Sequence, residues 1–317
     1  MYEESNILFH LFGLPVYPYA LFLALGALIA LFMALYRVRK TGVSASAVLT
    51  FTMLSLPLSV IFARLVFCVC RPGEIVDAGM GIIWRIDYGG FSLMGTFIGL
   101  LLAAILTKVI DHVSFLDLCD TVMPGLLVML AVARLSEGAT TNGIGVDVQI
   151  EALRFFPLAR LDAYDDYCYA IHMGEALTAL CAGVYTQTMQ RRARGLVSGL
   201  GLVVVAAAQI LWEALRRDEV LIFSFVRITQ VFSAVVLLVV LILSLRRSGW
   251  QKKKVVFASI CMFLGIVIVG MNEFFAESKL ISFIPAWLCY TIDAVTVSLM
   301  GLMTARALRD ACEGAQK

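Results

Sequence analysis

Charge is what this sequence has least of. Only 15% of its 317 residues are Asp, Glu, Lys or Arg, 61% are hydrophobic, and the mean hydropathy is +0.91. A water-soluble domain carries about 25% charged residues, so a soluble globular fold is excluded. The formal net charge of +2 gives no basic surface for a nucleic-acid partner. The alternation of apolar and polar residues that marks barrel strands is missing, which excludes a transmembrane β-barrel. Cys68 and Cys70 form a lone C-x-C with no second pair or nearby histidine, so no metal site and no cofactor is expected. Cys119, Cys181, Cys261 and Cys289 lie in or beside apolar runs, where a free cysteine acts as a small hydrophobe.

What the chain has instead is long apolar runs. A hydrocarbon core of about 30 Å takes about 20 helical residues to cross, and backbone polar groups in lipid must be satisfied within the segment. Nine spans are expected, near 16–36, 48–70, 90–110, 116–135, 169–189, 195–214, 222–245, 255–275 and 282–305. The fold class is therefore all-α, a polytopic membrane helical bundle. The first run is long and aromatic and is followed by 36-YRVRK-40 rather than a small-residue cleavage site, so it reads as retained.

Lys and Arg in short loops set the orientation. Arg37, Arg39 and Lys40; Lys108; Arg191, Arg192 and Arg194; Arg246, Arg247 and 252-KKK-254; and Arg309 and Lys317 fall in one set of alternate loops, expected to be cytoplasmic. Arg71, Arg85, Arg154, Arg160, Arg216, Arg217 and Lys279 fall in the other set, which is richer in acids. The N-terminus is expected outside and the C-terminus in the cytoplasm.

Charges inside apolar runs cost about 2.5–3.5 kcal/mol even on insertion scales, so they face a bundle interior and often mark a site. Arg64, Arg134, Glu137, Glu175, Glu213 and Arg227 are such residues, and the expected topology places all six near the outer level. The fourth run, 116-LDLCDTVMPGLLVMLAVA-133, ends in Arg134 and dissolves into 135-LSEGATTNGIG-145. Paired arginines in a partly desolvated site suit a lipid phosphate, which guanidinium groups bind through bidentate, charge-assisted hydrogen bonds.

These segments resemble the prolipoprotein diacylglyceryl transferases. The first span, 17-YPYALFLALGALIALFMALYRVRKTG-42, is similar to that family's opening helix, and 62-FARLVFCV-69 to its G-x-R-hydrophobic segment. The stretch 89-GGFSLMGTFIGLLLA-103 resembles the family's Gly-Gly-x-x-x-(His or Tyr)-Gly-Gly-x-x-Gly helix. Residues 114-SFLDLCDTVMPGLLVMLAVARLSEGATTNGIG-145 look like the Asp, Pro and signature Gly-Arg-x-Gly-Asn-x-x-Asn-x-Glu-x-x-Gly stretch. Finally 195-GLVSGLGLVVVAAAQILWEALRRDE-219 is similar to the Gly-x-x-Ser-Gly helix leading to Arg-x-x-x-Glu, and 227-RITQVFS-233 to a Gln-x-x-Ser segment. The resemblance covers about residues 14 to 247.

The resemblance implies transfer of the diacylglyceryl group of phosphatidylglycerol to the lipobox cysteine of a preprolipoprotein, leaving glycerol phosphate and forming a thioether. The implied partners are phosphatidylglycerol and lipobox-bearing signal peptides, and the implied unit is a monomer. Tyr19, Arg64, Arg134, Gly145 and Glu213 fall on functional positions of the family. Arg134, Glu213, Glu137 and His172 are the catalytic candidates; Tyr19, Arg64, Asn142, Gly145, Glu175 and Gln209 are the substrate-binding candidates. Departures are also present. Met94 stands at a His or Tyr position, Ser136 and Glu137 replace Gly-Asn, Asn142 replaces Glu, Gln209 replaces the Arg of Arg-x-x-x-Glu, and Gly174 replaces Tyr.

Two apolar spans containing Asn272, Glu273 and Asp293 follow the matched region. The expected division is a transferase-like membrane domain at 1–247 and a two-helix extension with a short tail at 248–317. Two readings stand: an active transferase, favoured by the retained positions, and a paralogue that binds lipid or lipoprotein without transfer, favoured by Met94 and Gln209. No paired, interrupted helices suggest the inverted repeats of a transporter.

Overall fold

The computed structural model describes residues 8–11, 14–73, 79, 81, 83, 90–139, 142–162, 164–190, 193–217, 222–223, 226–249, 252–277 and 286–314. Arg85, Arg191, Arg192, Lys279 and Lys317, used above for orientation, lie outside them. Nine α-helices occur among the described residues: α1 (Pro18–Thr41), α2 (Ala45–Cys70), α3 (Leu93–Ile110), α4 (Phe115–Ser136), α5 (Ile171–Thr188), α6 (Leu196–Leu215), α7 (Ile228–Arg247), α8 (Lys252–Glu277) and α9 (Ala286–Gly314).

Eight of these helices are long and apolar enough to cross a membrane. The exception is α5, whose 18 residues include His172, Glu175 and Gln187 and dilute its apolar character. The seventh expected span also needs correction. Its first residues form a hairpin, β6 (Ile222–Phe223) paired with β7 (Val226–Arg227), as β1 (Phe9–Leu11) pairs with β2 (Leu14–Val16) ahead of α1, and the helix begins only at Ile228. Phe32, Met53, Phe257 and Trp287 are each more than two-thirds exposed on helix exteriors, as side chains facing lipid would be.

Helix α1 lies along α4, α2 along α3, and α5 packs between α4 and α6. The α2–α3 pair is close because Gly99 presents no β-carbon: one there would stand 2.5 Å from the Leu58 carbonyl oxygen. In the absence of a hydrophobic force between helices in lipid, such close backbone approach supplies the packing. One core gathers Ala34, Val48, Phe51, Ala103, Leu118 and Val122. A second joins Val203 and Ile210 of α6, Leu237 and Leu241 of α7, Met262 of α8 and Val297 of α9. The C-terminal helices therefore share a core with α6 and α7.

At one end of the bundle, Pro124 inside α4 has no N–H to offer the Asp120 carbonyl one turn back. Arg37 of α1, fully buried, fills that gap: its Nε donates to Asp120 O (2.8 Å), and its Nη1 donates to Thr186 O (2.9 Å) and Gln187 O (3.1 Å) at the end of α5. Arg37 is thus a buried tie between three helices and not the exposed loop cation expected. The Asp120 carboxylate accepts from Gly195 N (2.7 Å), Ser198 N (2.8 Å) and Ser198 Oγ (2.7 Å), capping the orphan donors at the start of α6.

Candidate functional site

The opposite end of the bundle carries the polar site. Helix α4 ends at Ser136 and a short 3₁₀ turn, Glu137–Ala139, follows. The next segment, expected as an irregular loop, contains a small antiparallel sheet in the order β3 (Ile144–Asp147), β5 (Tyr167–Ala170), β4 (Ala159–Leu161). Strand β5 runs directly into α5, which fixes the first turn of α5 beside the end of α4.

Arg134 sits in the last turn of α4, where the helix dipole favours a cation. Its guanidinium pairs with Glu137 through Nη1, lies 3.2 Å from Glu175 Oε2 through Nε, and donates to Gln209 Oε1 through Nη2 (3.4 Å). Arg216, just past α6, grips the same two acids from the other side, Glu137 Oε2 at 2.5 Å and Glu175 Oε1 at 3.6 Å. Gln209 Nε2 donates to Glu175 Oε1 (3.1 Å) and to Glu213 Oε2 (3.0 Å). Arg134, Glu175, Gln209 and Glu213 are each 9% exposed or less, so this network is shielded from water. It holds three carboxylates against two guanidinium groups.

His172 is buried at the start of α5, and both its backbone N–H and its Nδ1 meet Gly143 O at 3.2 Å. A carbonyl only accepts, so Nδ1 carries the proton, and in the neutral ring Nε2 is then the acceptor. A β-carbon on Gly138, beside Glu137, would stand 3.2 Å from that Nε2, so the free nitrogen faces the site. Gly143 adopts φ +74°, a conformation that L side chains rarely take, and has the His172 side chain packed against it. Gly145 is buried and bridges to Arg216, tying the loop to the end of α6.

The structure therefore brings together Arg134, Glu137, Glu175, Gln209, Glu213 and, through the loop, His172 and Gly145. Asn142 is exposed in that loop. Tyr19 lies in the first turn of α1 at the same end but is not among the partners of Arg134. Arg64 does not join the cluster either. It is buried within the α2–α3 pair, donates to Gly90 O (3.1 Å), and lies over the Phe67 ring at 5.6 Å, while Met94 packs against Phe67. Of the six charges expected at one level, four meet in this network; Arg64 and Arg227 make no contact with it among the described residues.

Arg216 was counted as a loop cation and not among the site candidates, although the resembled family segment carries an Arg near the outer surface after its Arg-x-x-x-Glu. The indole of Trp212 lies against Gly174, leaving no room there for a β-carbon, and its Nε1 donates to Thr178 Oγ1 (3.1 Å). A small cleft lined by Leu130, Ala179, Val205, Ala208 and Trp212 adjoins Arg134, Glu175 and Gln209. Apolar walls thus meet a guanidinium in a space of about 10 Å³. Among the described residues no three His, Cys, Asp or Glu side chains gather as a metal site.

A sequence profile for prolipoprotein diacylglyceryl transferase matches residues 6–246. The chain belongs to that family. Named relatives are phosphatidylglycerol–prolipoprotein diacylglyceryl transferases. That of Bacillus velezensis (strain DSM 23117 / BGSC 10A6 / LMG 26770 / FZB42) is 26% identical over 267 residues, spanning 79% of this chain and 95% of the relative. That of Clostridium novyi (strain NT) is 24% identical over 247 residues, 76% and 95% of the two chains. That of Oceanobacillus iheyensis (strain DSM 14371 / CIP 107618 / JCM 11309 / KCTC 3954 / HTE831) is 22% identical over 243 residues, 74% and 85%. The family match ends in the last turn of α7, so α8 and α9 lie beyond it.

Proposed function

We propose that this chain transfers the diacylglyceryl group of phosphatidylglycerol to the lipobox cysteine of a preprolipoprotein. The observation that supports it is the buried Arg134 network at the end of α4, set against an apolar cleft within a family-matched bundle. Arg134 and Arg216 would hold the lipid phosphate by charge-assisted contacts. The Gln209 contact, at 3.4 Å, is the loosest that Arg134 makes, so a phosphate oxygen can take Nη2 with both ion pairs kept. His172 Nε2 would accept the thiol proton, since the thiolate is the nucleophile. The sulfur then bonds the glyceryl carbon as the carbon–oxygen bond to phosphate breaks, and glycerol phosphate leaves with that electron pair.

In this reading the site end faces the outside, the N-terminus is outside and the C-terminus cytoplasmic in a bacterial plasma membrane, and one chain suffices. Residues 1–247 form the transferase-like domain and 248–317 its extension. A binding paralogue is the second reading, favoured by Gln209 and by guanidinium groups already engaged with acids. The test is complementation of a strain depleted of its own transferase, together with thioether formation on a lipobox peptide in phosphatidylglycerol vesicles. Rescue with thioether product is expected. A properly inserted chain that gives neither overturns transfer in favour of binding.

A further inference from the structure

The first turn of α7 takes no part in the Arg134 network. Arg227 is its N-cap residue and pairs with Ile222 across the β6–β7 hairpin. The residue is 8% exposed, yet neither Nε nor Nη1 has a hydrogen-bond partner, and it joins none of the ion pairs among the described residues. Thr229, in the same turn, also has a buried hydroxyl with no partner. No side chain caps α7, so its first N–H groups lack intrahelical acceptors.

Gln230 fixes the level of this turn. Its Nε2 donates to Ile210 O of α6 at 3.2 Å. Arg227 lies about one turn before Gln230, and Glu213 about one turn after Ile210 in the antiparallel neighbour, so Arg227 stands level with the Arg134 network. Helices α8 and α9 border it on the other side. Tyr290 is close enough to sense the charges of Arg227, Glu273 and Asp293. Those two acids are engaged with amides: Glu273 Oε1 accepts from Gln230 Nε2 (2.7 Å), and Asp293 Oδ1 from Asn272 Nδ2 (2.8 Å).

A buried guanidinium without a partner is costly, and groups of this kind are ordinarily paired. It belongs to the same helix-opening turn as a buried, partnerless hydroxyl and the uncapped N–H groups of that turn, donors all. Such a set complements a tetrahedral oxyanion, with the helix dipole adding attraction and the planar fork adding geometry. We propose that Arg227, Thr229 and the N-terminus of α7 form a second phosphate-binding site, distinct from Arg134 and walled by the C-terminal extension. Its occupant carries a phosphate group, either on an anionic lipid or as a free phosphate monoester. The site does not depend on the transfer reading, because none of its residues serves that chemistry.

The test uses the full-length protein in detergent. Native mass spectrometry counts phosphatidylglycerol molecules retained from mixed phosphatidylglycerol and phosphatidylcholine micelles, for wild type, Arg227→Gln, Arg134→Ala and the double variant. In parallel, melting temperature is followed with inorganic phosphate and with glycerol phosphate. Loss of one retained lipid in Arg227→Gln, additive with a separate loss in Arg134→Ala, assigns the site to a lipid headgroup. Equal lipid counts, with phosphate raising the melting temperature of wild type but not of Arg227→Gln, assign it to a free phosphate. If wild type and Arg227→Gln agree in both arms, the site is overturned. In phosphatidylcholine alone, Arg227→Gln should melt no lower than wild type, since it removes an unpaired buried cation. A lower melting temperature there makes Arg227 structural and also overturns the proposal.

Discussion

Replacing Gln209 with arginine probes the network at its neutral member. Gln209 bridges Glu175 (3.1 Å) and Glu213 (3.0 Å) and occupies one nitrogen of Arg134 (3.4 Å). Gln209→Arg brings a third guanidinium to three carboxylates and releases that Arg134 nitrogen for phosphate. A charge-assisted hydrogen bond contributes about 1.5–3 kcal/mol, against about 0.5–1.5 for a neutral one. The gain of about 1–2 kcal/mol corresponds to roughly a 5- to 30-fold increase in kcat/KM. Gln209→Glu, which adds a fourth carboxylate, should move the other way. The assay is the initial rate of thioether formation on a lipobox peptide in phosphatidylglycerol nanodiscs, at equal protein and with matched melting temperatures. An active wild type made slower by Gln209→Arg would refute the reasoning, because the network would then already hold all the positive charge its substrate tolerates.

Four further outcomes are expected. Arg134→Ala should reduce kcat/KM by roughly 10- to 150-fold through loss of a charge-assisted phosphate contact, with Arg134→Lys recovering only part; wild-type rates in both would remove Arg134 from the site. His172→Asn keeps a donor for Gly143 O but no base, so transfer should fall by about 10²-fold or more and the acid limb of its pH–rate profile should disappear; an unchanged profile would leave His172 a loop anchor. Arg37→Met strips the Asp120 and Thr186 carbonyls of their side-chain donor, Gln187 O keeping Lys40 Nζ (3.2 Å), and should cost about 2 kcal/mol, lowering the melting temperature by roughly 4–8 °C without altering lipid selectivity; an unchanged melting temperature would deny the tie. Asp162 Oδ1 accepts from Tyr164 N (2.8 Å) and Asp166 N (3.0 Å), chiefly the latter holding its carboxyl below the ordinary 3.8. A depressed folded value means that this stabilisation is present above 3.8 and lost as pH falls through the lower value. Hydrogen exchange at Tyr164 and Asp166 should therefore stay protected at neutral pH and lose protection only in strong acid.

The bundle was legible because apolar run length is a local property. All nine spans were read from it, although the fifth, with His172 and Glu175, falls short of the apolar character of the other eight. Arg134, Glu175 and Glu213 were legible for the same reason in reverse, since a charge in an apolar run has few structural excuses. Arg216 was hidden by composition: at the edge of a span, a site cation and a topological one look alike. Arg37 was hidden more deeply. Pro124 announces that the Asp120 carbonyl lacks its helical donor, but only tertiary packing says which side chain supplies one. The sheet around β5 has strands of three and four residues, too short for a periodic signal, and Arg64 was misplaced because shared depth does not imply contact.

The substitutions that separate this chain from the family pattern act on one quantity, the charge balance around Arg134. Glu137 replaces an amide and now lies between two guanidinium groups, Asn142 moves the amide out to an exposed loop position, and Gln209 removes a cation, leaving three acids for two arginines among the described residues. An incoming phosphate adds negative charge to a network already in excess, which weakens ground-state binding. The same excess favours uptake of a proton when the thiol ionises, because any proton gained nearby restores balance. Binding and chemistry are thus pushed in opposite directions, and the expected kinetic signature is a high KM with much of kcat preserved. Gln209→Arg should then act mainly by lowering KM, and His172→Asn mainly by lowering kcat. If both substitutions instead changed kcat alone, phosphate affinity would not be what the missing arginine controls, and the charge argument for this site would fail.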